Sequence, residues 1–199
     1  MNIEDFNFKL PKELIAKYPS AIRGNSKLMH LKNDKIYHKN FSDITDLINQ
    51  DDVIVFNDTK VINALISGYK IENSEKKYFS FNLLKEIDNN IWQAIVSKDT
   101  WYNDDVFAKN LSIGNIIYYY NDLSAIIKEI NKEECYIILE FNRDKEELLL
   151  AIQDNGKIPL PPYIDRETEE SDNIRYQTVF AKNYGAVAAP TAGLQPCTS

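Results

Sequence analysis

A chain of 199 residues is long enough for one substantial domain or two small ones. Its 44% hydrophobic and 27% charged content excludes global disorder, and no apolar run approaches the roughly 18 residues needed to cross a bilayer. A net charge of −7 argues against a surface coated for nucleic acid but leaves room for a local basic groove.

The N-terminal "MNIEDFNFKL" is acidic and interrupted, unlike a signal peptide. With Cys135 and Cys197 far apart, neither a disulfide framework nor a CxxC pair is available. A cytoplasmic location is therefore expected. "LPKELIAKYP" predicts a short helix stopped before Pro19. "KLMHLKNDKIYHKNF" alternates around Asn33-Asp34 and predicts a β-hairpin. "SDITDLINQ" predicts a helix with Ser42 or Asp43 near its N-cap. In "DVIVFNDTKVINALISG" a continuous apolar run predicts a buried strand, broken by a polar triplet and resumed beyond it.

From about Ala64 to Phe141 the chain reads as short strands: "KKYFSFNLL", "NIWQAIVSK", "IGNIIYYYN", "SAIIKEI" and "ECYIILEF". Separated by "DNN", "NDL" and "NKE" turns, they predict a small barrel or sandwich. The Tyr118–Tyr120 run suits either a base-stacking face or a small β core, and the pattern favours the core. "DKEELLLAIQDNGK" predicts a helix with an acidic first turn, ended at Gly156. "IPLPPYIDR" is stiff and extended because each proline fixes φ. "SDNIRYQTVFAKN" predicts a capped helical or turn segment. "YGAVAAPTAGL" follows, a run of small residues whose backbone can approach a ligand or a neighbouring strand closely.

Few residues offer chemistry. Asn57, Asp58 and Thr59 follow "VIVF", at the carboxyl end of the expected strand, where open α/β sheets place ligands; turn and cap roles suit the same residue types. Arg23 and Lys27, near a Gly-Asn turn, are cations for a phosphate or carboxylate, or solvated loop charges. Arg175, Tyr176, Gln177 and Thr178 are consecutive, so on a helix at most two of them face one ligand. His30 and His38 lie on the two hairpin arms without further metal ligands at suitable spacing. No Ser-His-Asp triad, phosphate loop or dinucleotide fingerprint is present.

"VFNDTKVI", "GKIPLPPYI" and "RYQTVFAKNYGAVAAPTAGL", in this order and spacing, closely resemble the S-adenosylmethionine:tRNA ribosyltransferase-isomerase family of queuosine biosynthesis. The opening "DFNFKLPKELIAKYPSAIRGNSKLMHL" resembles that family's N-terminus, and the resemblance reaches Leu194. It implies an α/β fold: a mixed α/β domain interrupted by a small inserted β-barrel, with 1–63 and 143–199 as the two α/β segments and 64–142 as the insert. It also implies a reaction in which the ribosyl moiety of S-adenosylmethionine passes to a 7-aminomethyl-7-deazaguanine at the tRNA wobble position. Adenine and methionine leave, and the sugar rearranges to give epoxyqueuosine. The implied partners are that tRNA and S-adenosylmethionine, the latter a substrate, with no separate cofactor, no metal and no membrane.

Such chemistry needs a base, donors for the departing adenine and a dry pocket. The resemblance makes Asp58 the candidate carboxylate, acting as a base or sitting near the sulfonium, with Asn57 and Thr59 orienting substrate hydroxyls. Tyr176 and Gln177 become candidates for base stacking and edge recognition, flanked by Arg175 and Thr178. The backbone of Pro190, Thr191, Ala192 and Gly193 supplies N–H and C=O groups at close approach. Two positions depart from the family: Lys60 stands where Arg is usual, losing bidentate recognition, and Asn63 where Pro is usual. Family members also continue "PTAGL" with His-Phe into a long second half, whereas Gln195 and "PCTS" follow here. A truncated α/β domain with exposed sheet edges is therefore expected.

Overall fold

The computed structural model describes residues 2–96 and 110–194; the C-terminal Gln195–Ser199 and the end of the "NIWQAIVSK" segment lie outside them. Strands β1 (Lys27–Lys32) and β2 (Lys35–Asn40) form the expected antiparallel hairpin. Asn33 and Asp34 both take positive φ, 51° and 57°, the turn geometry that matches the strand twist. The histidines are staggered across it: His30 faces Tyr37, and His38 faces Met29.

After β3 (Thr59–Val61) come six strands: β4 (Leu65–Glu72), β5 (Glu75–Asp88), β6 (Ile91–Val96), β7 (Ile116–Tyr118), β8 (Ser124–Asn131) and β9 (Tyr136–Phe141). They pair in the order β4-β5-β6-β9-β8-β7, and β7 returns to β4 through Tyr69 and Tyr118, closing a barrel. Closure removes the open edges that make isolated sheets self-associate. At the seam a Cβ on Gly68 would lie 2.7 Å from the Tyr118 carbonyl oxygen, so only glycine lets the two strands meet. The interior follows the period of two: alternate residues of β6 and β9 are buried, and Ile66, Phe81, Leu83, Ile127, Ile137 and Leu139 fill the centre. Tyr119, inside this core, faces no hydrogen-bond partner among the described residues, and burial pushes its phenol pKa well up.

Helix α1 (Lys145–Asn155) adds Leu148, Ala151 and Ile152 to the barrel core, one face at i, i+3, i+4 spacing. Gly156 ends it by donating its N–H to the Ile152 carbonyl, at φ −100°, so extended rather than left-handed. Strand β10 (Gly156–Lys157) then pairs antiparallel with β4. The single-turn α2 (Asp172–Arg175) and strand β11 (Asn183–Ala186) follow, and β11 pairs parallel with β3, bulged at Gly185. A mixed α/β arrangement around a small barrel is therefore the observed fold.

Three expectations are corrected. "LPKELIAKYP" forms one 3-10 turn, Lys12–Leu14, and "SDITDLINQ" forms the 3-10 turn Phe41–Asp46. Neither presents a buried residue, and without a packed face a short helix is marginal. The cap also moves: the Asn40 N–H donates to Asp43 Oδ2 at 2.9 Å. Most consequential is "VIVF", which is neither strand nor buried: Val53 and Val55 are 89% and 88% exposed. A run apolar on both faces is stable in a sheet only when neighbours cover both, and no described strand pairs with it. Val55→Lys is accordingly expected to change stability by less than about 0.5 kcal/mol while reducing self-association in static light scattering.

Among the described residues no helix is long and apolar enough to cross a membrane.

Candidate functional site

The segments that carried the family resemblance meet in space. Val61, Ile158, Tyr176 and Ala189 form a second small core, with Leu160, Ala186 and Leu194 packed against it. Each of the three motifs contributes to it. The parallel β3–β11 pair forms its backbone frame, with Thr59 opposite Asn183 and Tyr184 opposite Lys60.

At the start of β3 the polar triplet is a folded turn. Asn57 Oδ1 accepts from the Thr59 N–H at 2.8 Å and from Thr59 Oγ1 at 2.5 Å, the self-bonding that asparagine favours in turns. Asp58 joins the two chain segments: its carbonyl accepts from the N–H groups of Lys182 and Asn183 at 2.7 and 3.1 Å. Its carboxylate Oδ2 accepts from Asn183 Nδ2 at 2.8 Å. Asn57 and Asp58 lie exposed at the surface, and among the described residues the one side-chain hydrogen bond to the Asp58 carboxylate is to Oδ2. Lys60 donates to Tyr184 OH at 3.1 Å and its ammonium sits 4.6 Å from that ring's centre.

Gln177 is tied to the frame. Its Oε1 accepts from the Val61 N–H at 2.9 Å and its Nε2 donates to the Val61 carbonyl at 2.8 Å, so the side chain imitates a strand neighbour. Gln177→Leu leaves both part-buried backbone groups without that partner, and about 2 kcal/mol of stability is expected to go with it, measurable as a lower urea midpoint. Tyr176 lies inside the small core, and burial raises its phenol pKa. Thr178 is buried, its Oγ1 without a partner among the described residues, beneath the 3-10 turn Thr191–Leu194. A Cβ on Gly193 would lie 3.0 Å from Thr178 Cγ2, and the Gly193 N–H donates to the Pro190 carbonyl at 2.8 Å. Thr191 is exposed, and Ala192 lies in the backbone of this turn.

Sequence reasoning missed the clasp beside this core. Arg166 forms a bidentate pair with Asp172, Nη1 and Nη2 each 2.7 Å from a carboxylate oxygen. The Glu169 N–H adds a third bond to Asp172 Oδ2 at 2.8 Å. That hydrogen bonding holds the Asp172 carboxyl below the usual range. The same guanidinium donates from Nε to the Lys17 carbonyl at 2.8 Å and lies over the Tyr18 ring, whose hydroxyl donates to Glu169 at 2.8 Å. The N-terminal segment is thereby fastened to 166–172. Acidic spacing in "DRETEESD" is the only sequence signal, and it does not identify which carboxylate is buried.

The position outside the family pattern at Asn63 has a local use. Its Nδ2 donates to the Gln153 carbonyl at 2.9 Å, joining the entrance of the barrel to α1. No group of His, Cys, Asp and Glu suited to a metal occurs among the described residues.

Comparison with known proteins places these features. The chain is 39% identical over 198 residues to the S-adenosylmethionine:tRNA ribosyltransferase-isomerase of Chloroherpeton thalassium, covering 98% of this chain and 54% of that protein. The protein of the same name from a Hydrogenobaculum species is 39% identical over 199 residues, with the same two coverages. A solved structure, the S-adenosylmethionine tRNA ribosyltransferase of Thermotoga maritima, is similar at TM-score 0.36 and 26% identity, over 81% of this chain and 52% of that one. The chain thus spans about half the length of the curated relatives it matches. Since the pattern of the queuosine biosynthesis protein family matches residues 3–196, nearly the whole sequence, the chain belongs to that family.

Proposed function

We propose that the chain serves S-adenosylmethionine:tRNA ribosyl transfer and isomerisation. The ribosyl moiety of S-adenosylmethionine passes to the aminomethyl group of 7-aminomethyl-7-deazaguanine at the tRNA wobble position. Adenine and methionine are released, and the product is epoxyqueuosine-tRNA. The observation that carries this reading is the convergence of the three family motifs on one small core, beside an exposed polar triplet and a glycine-bearing turn.

In this reading Asp58 is the base, its carboxylate oriented by Asn183, and the ordered turn of Asn57 and Thr59 presents hydroxyl-binding groups. Backbone groups of Pro190–Gly193 approach the substrate closely because the turn carries little side chain. Gln177 and Tyr176 support the frame from within, since their side chains are engaged there. Arg175 and Thr178 complete the set.

Release of adenine from S-adenosylmethionine, dependent on an RNA hairpin bearing the precursor base, tests the reading. The chain is assayed alone and together with a polypeptide supplying the remaining length of its relatives. Turnover in either format that is lost with Asp58→Asn supports the assignment, and turnover unchanged by Asp58→Asn removes that residue from the chemistry. Salt-sensitive RNA binding without adenine release in both formats replaces the enzyme with a binding module.

A further inference from the structure

We propose that Arg23 and Arg175 together form a binding site for an oxyanion of phosphate or carboxylate geometry. The two side chains are interlocked. Arg23 Nη2 donates to the Ile174 carbonyl at 2.8 Å, while Arg175 Nη1 donates to the Ala21 carbonyl at 3.2 Å and its Nη2 to the Ser20 carbonyl. Each residue is held on a fixed element. Arg23 precedes Gly24, whose carbonyl accepts from the Ser42 N–H at 3.1 Å at the base of the hairpin, and Arg175 ends α2.

A guanidinium carries five N–H donors in one plane, and these contacts do not use them all. Arg23 Nη1 and Arg175 Nε are buried and meet no acceptor among the described residues. No carboxylate among the described residues forms an ion pair with either side chain. The Arg23 pKa is lowered, by burial first and then by the positive charge of Arg175. Arg166, on the same clasp, shows the contrast: its Nε, Nη1 and Nη2 all reach acceptors, and its counter-ion is Asp172. Two adjacent like charges with orphaned donors are costly in a folded chain, and an anion that accepts from both removes the cost. The planar fork of arginine fits a phosphate or a carboxylate better than it fits other ligands.

The source of the anion rests on the proposed function: an RNA backbone phosphate or the carboxylate of S-adenosylmethionine. The site itself does not depend on turnover. Its test is a titration of the whole chain with inorganic phosphate at constant ionic strength, following the Arg175 Nε–H resonance by NMR. A saturable shift is expected, about tenfold weaker in Arg23→Lys, the loss of one charge-assisted hydrogen bond. Arg23→Lys retains the charge, and unchanged barrel resonances establish that the variant is folded. No shift, or an equal affinity in Arg23→Lys, overturns the proposal. Displacement of phosphate by S-adenosylmethionine identifies the carboxylate, and salt-sensitive displacement by an RNA hairpin identifies the phosphate. If phosphate binds and neither displaces it, the site stands and its assignment to this reaction falls.

Discussion

Asp172→Asn is expected to destabilise the chain by about 3 kcal/mol, because removing one partner of a buried ion pair leaves the other charge uncompensated. In a chain of this size that corresponds to a fall in melting temperature of about 8 °C. The carboxylate is 3% exposed and accepts three hydrogen bonds, two of them from Arg166. Its pKa lies below the ordinary 3.8 in the folded chain, so folding favours the ionised form. The resulting stability is complete above the unfolded-state value and is lost as pH falls from there through the lower folded value. Wild-type stability should therefore carry an acid limb below about pH 4 that is reduced in Asp172→Asn. Urea midpoints between pH 2.5 and 6 read both effects, and parallel curves for the two proteins would remove the pair from the stability of the clasp.

Gly156→Ala carries the other large effect. A Cβ at this position would stand 1.8 Å from the Asn63 carbonyl oxygen and 2.8 Å from that of Ile152, both backbone atoms that move only with their segments. The backbone angles are ordinary extended ones, so the demand for glycine is one of space and not of φ. Relief requires β10 to leave β4, at an expected cost of about 3 kcal/mol. Hydrogen exchange localises it: amides of the β4–β10 pair at Leu65 and Lys157 should lose protection while Ile137, deep in the barrel, keeps it. Protection lost uniformly would mean that the junction and the barrel unfold as one unit.

The contrast between these parts explains what the sequence disclosed. The barrel strands were readable because alternation is a local property and asparagine-rich turns punctuate it, as Asn121 and Asp122 do at φ 54° and 56°. The turn at Asn73 and Ser74, with the same geometry, has no proline or glycine to announce it. "VIVF" misled because a continuous apolar run implies covering layers, and those layers are a property of other segments. The triplet at Asn57–Thr59 was recognisable by residue type. The engagement of Gln177 with Val61, 116 positions away, leaves no local trace, nor does the choice of Asp172 among its acidic neighbours. The family motifs meet in one small core through a parallel strand pair and the packing of Ile158, long-range contacts that local patterns cannot reveal.

The closeness of Gly156 to Asn63 also bears on how such a chain can be altered. The backbone enters the barrel and returns from α1 at nearly one point, so the whole excursion hangs from a narrow double-stranded neck. A short glycine-containing bridge from Ile62 to Lys157 is expected to span that gap, since their neighbours Asn63 and Gly156 are in backbone contact. The barrel with α1 is therefore expected to behave as an exchangeable unit: a shortened chain keeping the β3–β11 frame, or one carrying a foreign barrel on the same neck, is expected to fold.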